Sequence, residues 1–287
     1  MYLLYSILSS TIIFIVFKLF PRFNIDRLQA IVVNYMVACF AGLFFYQHSF
    51  SYLEIVNQNW FPGALLLGFL FIAIFYLMAL TTQRNGIAVV SVATKMSVVI
   101  PVAFGIVYFK DSLDAIKLLG IVLALLAVYL VSLKTDLGLG LDRKNLILPI
   151  LVFMGSGIID TSIKFLEETY IAQKDVPLFS AVIFAFAFVV GLVLLIFRFR
   201  KQPSKFDFKN ILAGIALGLP NYFSIFFLVR ALRNGWESST VFLINNVGIV
   251  VLSTLIALLL FKEQMSRKNW FGLLLAIVGI ILVSLSK

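Results

Sequence analysis

The chain has 287 residues, 62% of them hydrophobic and 13% charged, with a mean hydropathy of +1.08, a composition that excludes a soluble globular fold of this size. Its formal charge is +10, yet the basic residues stand in short loops between apolar runs, which excludes a nucleic-acid surface and fits loop bias in a bilayer. One cysteine, Cys39, leaves no internal disulfide, and one histidine, His48, lies in a loop, so the usual general base and zinc ligand are missing from the apolar interior.

A spanning helix needs about twenty apolar residues at 1.5 Å each. Taken in chain order, the apolar runs predict ten of them: 3–20, 28–46, 60–82, 86–109, 115–133, 146–165, 177–197, 208–232, 237–261 and 270–286. The first run has no charged n-region and exceeds a signal-peptide core in length, so it reads as a spanning helix and not as a leader. Pro149 and Pro177 fall near helix starts, where a missing N–H costs little, whereas Pro101 lies inside the fourth span and is expected to kink it. Trp60 and Trp270, near span ends, are expected to anchor at the interface. The odd-numbered loops hold about fourteen basic residues and the even-numbered loops with the C-terminus about five, which places the odd loops in the cytoplasm.

Ionisable groups at membrane depth are costly and face a cavity or a partner. Lys95 stands roughly 14 Å into the fourth span, too deep to reach the headgroups, and Ser91, Thr94 and Lys95 share one face by i, i+3, i+4 spacing. Lys95 is expected to hold a substrate carboxylate or phosphate, or to titrate in the cycle; the competing reading is a permanent salt bridge. Asp160 is either a coupling acid or the partner of Lys164 four residues on, while Lys18 and Lys164, near helix ends, are expected to snorkel. Asn34 with Tyr35, Asn221 with Tyr222, and Asn245 with Asn246 supply buried amides and hydroxyls that either bind a polar ligand or hold helices together. Lys110-Asp111 and Lys262-Glu263 close the fourth and ninth spans as caps or as a gate, and "RNG" at Arg84 and Arg233 reads as a turn.

The chain repeats itself. Gly272 lies 152 residues after Gly120, and that offset pairs Phe75 with Phe227, Ala79-Leu80 with Ala231-Leu232, and Phe109-Lys110-Asp111 with Phe261-Lys262-Glu263. An offset of 146 lays "STIIFIVFK", ending at Lys18, over "SGIIDTSIK", ending at Lys164. Two copies of five spans, 1–135 and 145–287, must enter the membrane from opposite sides because five is odd. The expected fold is therefore an all-α membrane protein whose ten transmembrane helices form two inverted five-helix repeats around a central cavity.

The paired pattern "FYLMAL…P…FKDSL…G" and "FFLVRAL…FKEQM…G" resembles the EamA-type branch of the drug/metabolite transporter superfamily. The resemblance implies a carrier in which helices one to four and six to nine line the cavity and helices five and ten lie outside. It also implies export of amino acids or related metabolites, with nucleotide sugars and sugar phosphates carried by relatives. The chain departs from the family where Ser253 stands opposite Pro101. The expected activity is secondary-active export of a small polar metabolite by alternating access, without catalysis and without a cofactor. The alternatives are a non-transporting scaffold or sensor and a nucleotide-sugar carrier. The expected partners are a small-molecule substrate and the lipid bilayer of the cytoplasmic membrane, with monomer and homodimer both open.

Overall fold

The computed structural model describes residues 1–46, 52–85, 93–94, 97, 99–110, 114–132, 147–201, 206–261 and 267–285. Every regular element among them is helical. In chain order these are α1 (Tyr2–Leu19), α2 (Arg27–Phe45), the short α3 (Tyr52–Val56), α4 (Phe61–Asn85) and α5 (Val99–Phe104), which continues as a π-helical turn, Gly105–Phe109. After it come α6 (Ala115–Ser132), α7 (Ile147–Tyr170), a 3₁₀ turn (Gln173–Asp175), α8 (Val176–Lys201), α9 (Phe208–Leu232), α10 (Ser238–Phe261) and α11 (Arg267–Leu285).

Six of these helices are long and apolar enough to cross a membrane, namely α1, α2, Phe61–Met78 of α4, α8, α9 and Thr240–Phe261 of α10; α6 and α11 contribute shorter apolar stretches. The chain is thus an α-helical, multi-pass membrane protein. Its outer surface agrees: Phe44 is 82% exposed, Val107 81% and Leu259 78%, exposures that hydrocarbon tolerates and water does not. Of the predicted span 86–109, residues 93–94 and Val99–Phe104 are described as helix, the second segment carrying Pro101. The π turn closes when the Lys110 N–H reaches the Gly105 carbonyl, with Lys110 itself left-handed at φ 57°.

Helix starts are fixed by aspartates. Asp26 accepts from the Gln29 N–H (3.1 Å), Asp114 from the Lys117 N–H (2.6 Å) and Asp207 from the Lys209 N–H (3.1 Å), each satisfying a donor that the first turn would otherwise leave orphaned. α2 is the most enclosed element, packed against α8 and α9. α9 approaches it through Gly214-x-x-x-Gly218; a Cβ on Gly218 would stand 2.7 Å from the Asn34 carbonyl oxygen, so only glycine admits this contact. α1 lies on α9 and α10, α7 on α4 and α5, α4 on α8, and α6 on α11.

The main core runs between α2, α4, α7, α8 and α9 and is rich in rings: Tyr35 meets Phe75 (5.7 Å) and Phe184 (6.1 Å), and Phe71 meets Phe184 edge-on (5.9 Å). Trp60 belongs to this core. It is 1% exposed and edge-on to Phe179, which corrects the expectation of an interfacial anchor: the residue before α4 turns inward against α8 instead of outward to the headgroups. Trp270, 53% exposed, does face outward.

Candidate functional site

A polar ribbon crosses the middle of the bundle. Asn221 Nδ2 on α9 donates to Asn34 Oδ1 on α2 (3.1 Å), Ser224 Oγ donates to the Asn221 carbonyl (2.8 Å), and Ser6 Oγ on α1 donates to the Ser224 carbonyl (2.9 Å). All four residues are buried. The close Gly214–Gly218 seam sets this register, because it brings the two backbones near enough for short amides to meet. Two residues expected at a binding site are thus joined to each other. Beside them Tyr35 and Tyr222 are fully buried, and among the described residues neither hydroxyl has a hydrogen-bond partner, a costly state that gives both an unused donor and acceptor.

The other expected residues are more dispersed. On α10 Asn246 Nδ2 donates to the Phe242 carbonyl one turn back (3.1 Å), and the neighbouring Asn245 Oδ1 is buried with no partner among the described residues. Thr94 is half-buried and its carbonyl accepts from Ser97 Oγ (2.6 Å). Ser91 and Lys95 lie outside the described residues, as do Asp111, Lys262 and Glu263. Asp160 is half-buried in the middle of α7. Lys164 is 0% exposed, which corrects the expectation that it snorkels: α7 runs on to Tyr170, so Lys164 stands nearly two turns below the helix end. Lys18 sits with its ammonium 4.7 Å from the centre of the Phe261 ring.

Two polar groupings at opposite ends of the bundle were not singled out in the sequence. At the end formed by the odd loops, α2 and α9 start side by side and exchange their caps. The Asp26 N–H donates to Asn210 Oδ1 (2.9 Å), the Asp207 N–H to Gln29 Oε1 (3.4 Å), and Asn210 Nδ2 to Gln29 Oε1 (2.8 Å). Arg198, at the end of α8, grips both Asp26 oxygens at 3.0 and 2.8 Å. The Lys209 N–H holds the exposed Asp207 carboxyl below its ordinary range. Asp26 and Arg198 line a cleft of about 510 Å³ together with Phe20, Pro21, Ile25, Arg27, Tyr76 and Leu80. The legible signal was Asp26-x-x-Gln29 and Asp207-x-x-Asn210, each a capping-box spacing.

At the even-loop end, Arg233 caps α9 and reaches across to α7. Its guanidinium donates to the Glu167 carboxylate and to the Glu167 and Ile171 carbonyl oxygens. Ser238, first residue of α10, donates to Glu168, and Lys117 of α6, 2% exposed, pairs with Glu237. Nearby, Tyr46 donates to Asp175 (3.4 Å); burial first, and the Asp175 charge second, push the phenol upward. The turn reading of "RNG" holds at 233–235, where Gly235 adopts φ 79°, but it missed the reach of the arginine side chain.

Comparison with known proteins bears on this arrangement. Residues 146–285 match the EamA-like transporter family. Over 284 residues the chain is 28% identical to an uncharacterized protein of Haemophilus influenzae, covering 97% of this chain and 95% of that one. A solved crystal structure superposes with a TM-score of 0.78 over 99% of this chain and 95% of its own length, at 12% identity, a likeness of fold alone.

Proposed function

Since residues 146–285 belong to the EamA-like transporter family, whose members are membrane transporters of the drug/metabolite type, we propose that this chain is a secondary-active carrier exporting a small polar metabolite, such as an amino acid, by alternating access. Its ten spans form two inverted repeats, 1–135 and 145–287, in the cytoplasmic membrane.

The observation that carries this reading is the pattern of helix contacts. α1 packs on α9 and α10, and its counterpart five spans later, α7, packs on α4 and α5. α2 packs on α9, and its counterpart α8 packs on α4; the pairs α2 with α8, α5 with α10 and α6 with α11 map onto themselves. Exchanging the two halves leaves these pairings unchanged, as expected of repeats related by a two-fold axis in the membrane plane. α6 and α11, paired with each other, fit the peripheral place that the resemblance implies for helices five and ten. Within this scheme Tyr35, Tyr222 and Asn245 offer unused polar groups for a substrate, and Lys95 with Ser91 and Thr94 supplies a polar face on the fourth span.

A thermal-shift screen of the purified protein against amino acids, nucleosides, sugar phosphates and cationic drugs tests the reading, because a ligand that binds only the folded state raises its unfolding temperature. Stabilising compounds are then assayed for movement into proteoliposomes. Lys95→Ala is expected to abolish that movement with an unchanged unfolding temperature. Normal transport by the variant would remove Lys95 from the site, and a protein that neither binds nor moves any of these classes would favour a scaffold.

A further inference from the structure

The two ends of the bundle differ at positions that the repeat makes equivalent. Arg233 lies 152 residues after Thr81, and Glu167 and Ile171 lie 146 residues after Pro21 and Ile25. Where the second half has a guanidinium, the first has a buried hydroxyl that donates to the Leu77 carbonyl of its own helix (2.7 Å). Where the second half has a carboxylate, the first has a proline ring. Pro21 and Ile25 line the open 510 Å³ cleft, whereas Glu167 and Ile171 are drawn to α9 by Arg233. One set of these positions thus lines an opening, and the other is held closed by an arginine.

We propose that Arg233, bound to the Glu167 carboxylate and the Ile171 carbonyl, is the gate that closes the even-loop end of the transport path while the odd-loop cleft stands open. The inference rests on the carrier reading and adds to it the residues that control access. α7 otherwise packs mainly on α4 and α5, and α9 on α1 and α2, so the clasp joins two groups of helices that have separate supports. Its acceptors are carbonyls of the last helical turn and the capping region, which the helix itself leaves unbonded, so releasing them breaks no helical hydrogen bond. Ser238 bound to Glu168 ties α10 to the same turn and adds a second latch. With the clasp made, the empty carrier rests with the odd-loop end open.

The test uses single-cysteine reporters in a full-length Cys39→Ala background, purified in detergent and reacted with a bulky hydrophilic maleimide. Val229→Cys reports the even-loop side; Val229 is 0% exposed, one turn below Arg233 on α9. Leu80→Cys reports the cleft. With Arg233 intact, Leu80→Cys is expected to react and Val229→Cys to resist. Arg233→Ala is expected to speed Val229→Cys labelling by at least about tenfold and to slow Leu80→Cys, the signature of a shifted two-state equilibrium. If Arg233→Ala does not purify as a monodisperse protein, Glu167→Gln, which keeps the carbonyl bonds, is read with the same reporters. Unchanged labelling at Val229→Cys in a folded variant overturns the proposal, as does fast labelling there with the clasp intact. Labelling needs no substrate, so failure of the gate is distinguished from a chain that moves nothing.

Discussion

The even-loop end of this protein is held by buried charge, and the odd-loop end by exchanged helix caps around an open cleft. At the first, Lys117 and Glu167 are 2% and 3% exposed, and their partners lie on other helices. At the second, Arg198 is 42% exposed in its side chain, and the work of joining α2 to α9 falls to neutral amides and backbone N–H groups. The difference matters because a buried ion pair is costly to break one partner at a time, whereas an exposed one is screened and weak. The bundle thus carries a strong polar fastening at one end and an open cleft at the other.

That contrast predicts a ranking of substitutions. Lys117→Met removes the buried partner of Glu237, a carboxylate about one-third exposed, and is expected to destabilise the protein by about 2–3 kcal/mol, measured by unfolding in mixed detergent micelles. Adding Glu237→Gln should recover much of the loss; no recovery would mean that the lysine stem, and not the pair, supplies the stability. Asn210→Ala strips the Asp26 N–H of its acceptor and Gln29 Oε1 of one of its donors, and should cost about 1–2 kcal/mol, since a helix-start N–H is left unsatisfied. Arg198→Ala is expected to cost under about 1 kcal/mol, and that cost should shrink further in high salt. An Arg198 effect as large as that of Lys117 would erase the proposed difference between the ends.

Much of the helical layout was legible in the chain. The predicted run 208–232 coincides with α9, and the bounds of α1, α2 and α6 agree within one residue, because apolar length and capping aspartates are local properties. α7 escaped by five residues at its C-terminal end, since Lys164, Glu167 and Glu168 read as a boundary whereas the helix runs on through them, burying Lys164 and Glu167 and bringing Glu167 to Arg233 and Glu168 to Ser238. The site was legible only in kind. Asn34 and Asn221 were expected to be buried amides, but whether they meet a ligand or each other depends on the distance between α2 and α9, which the Gly214–Gly218 seam sets.

Charge shows the same division. Arg198 and Arg233 are both basic residues near span ends, and the sequence gives no ground for ranking them. One meets Asp26 at a half-open surface and the other meets Glu167 inside a closed end. By itself the sequence determined that this chain lies in a bilayer and where most of its helices run, because hydrophobic length and local capping do not depend on distant contacts. Only the tertiary structure decided which end is fastened and which is open. That outcome depends on side chains about 66 residues apart, Glu167 and Arg233, arriving at one place with their charges shielded from water.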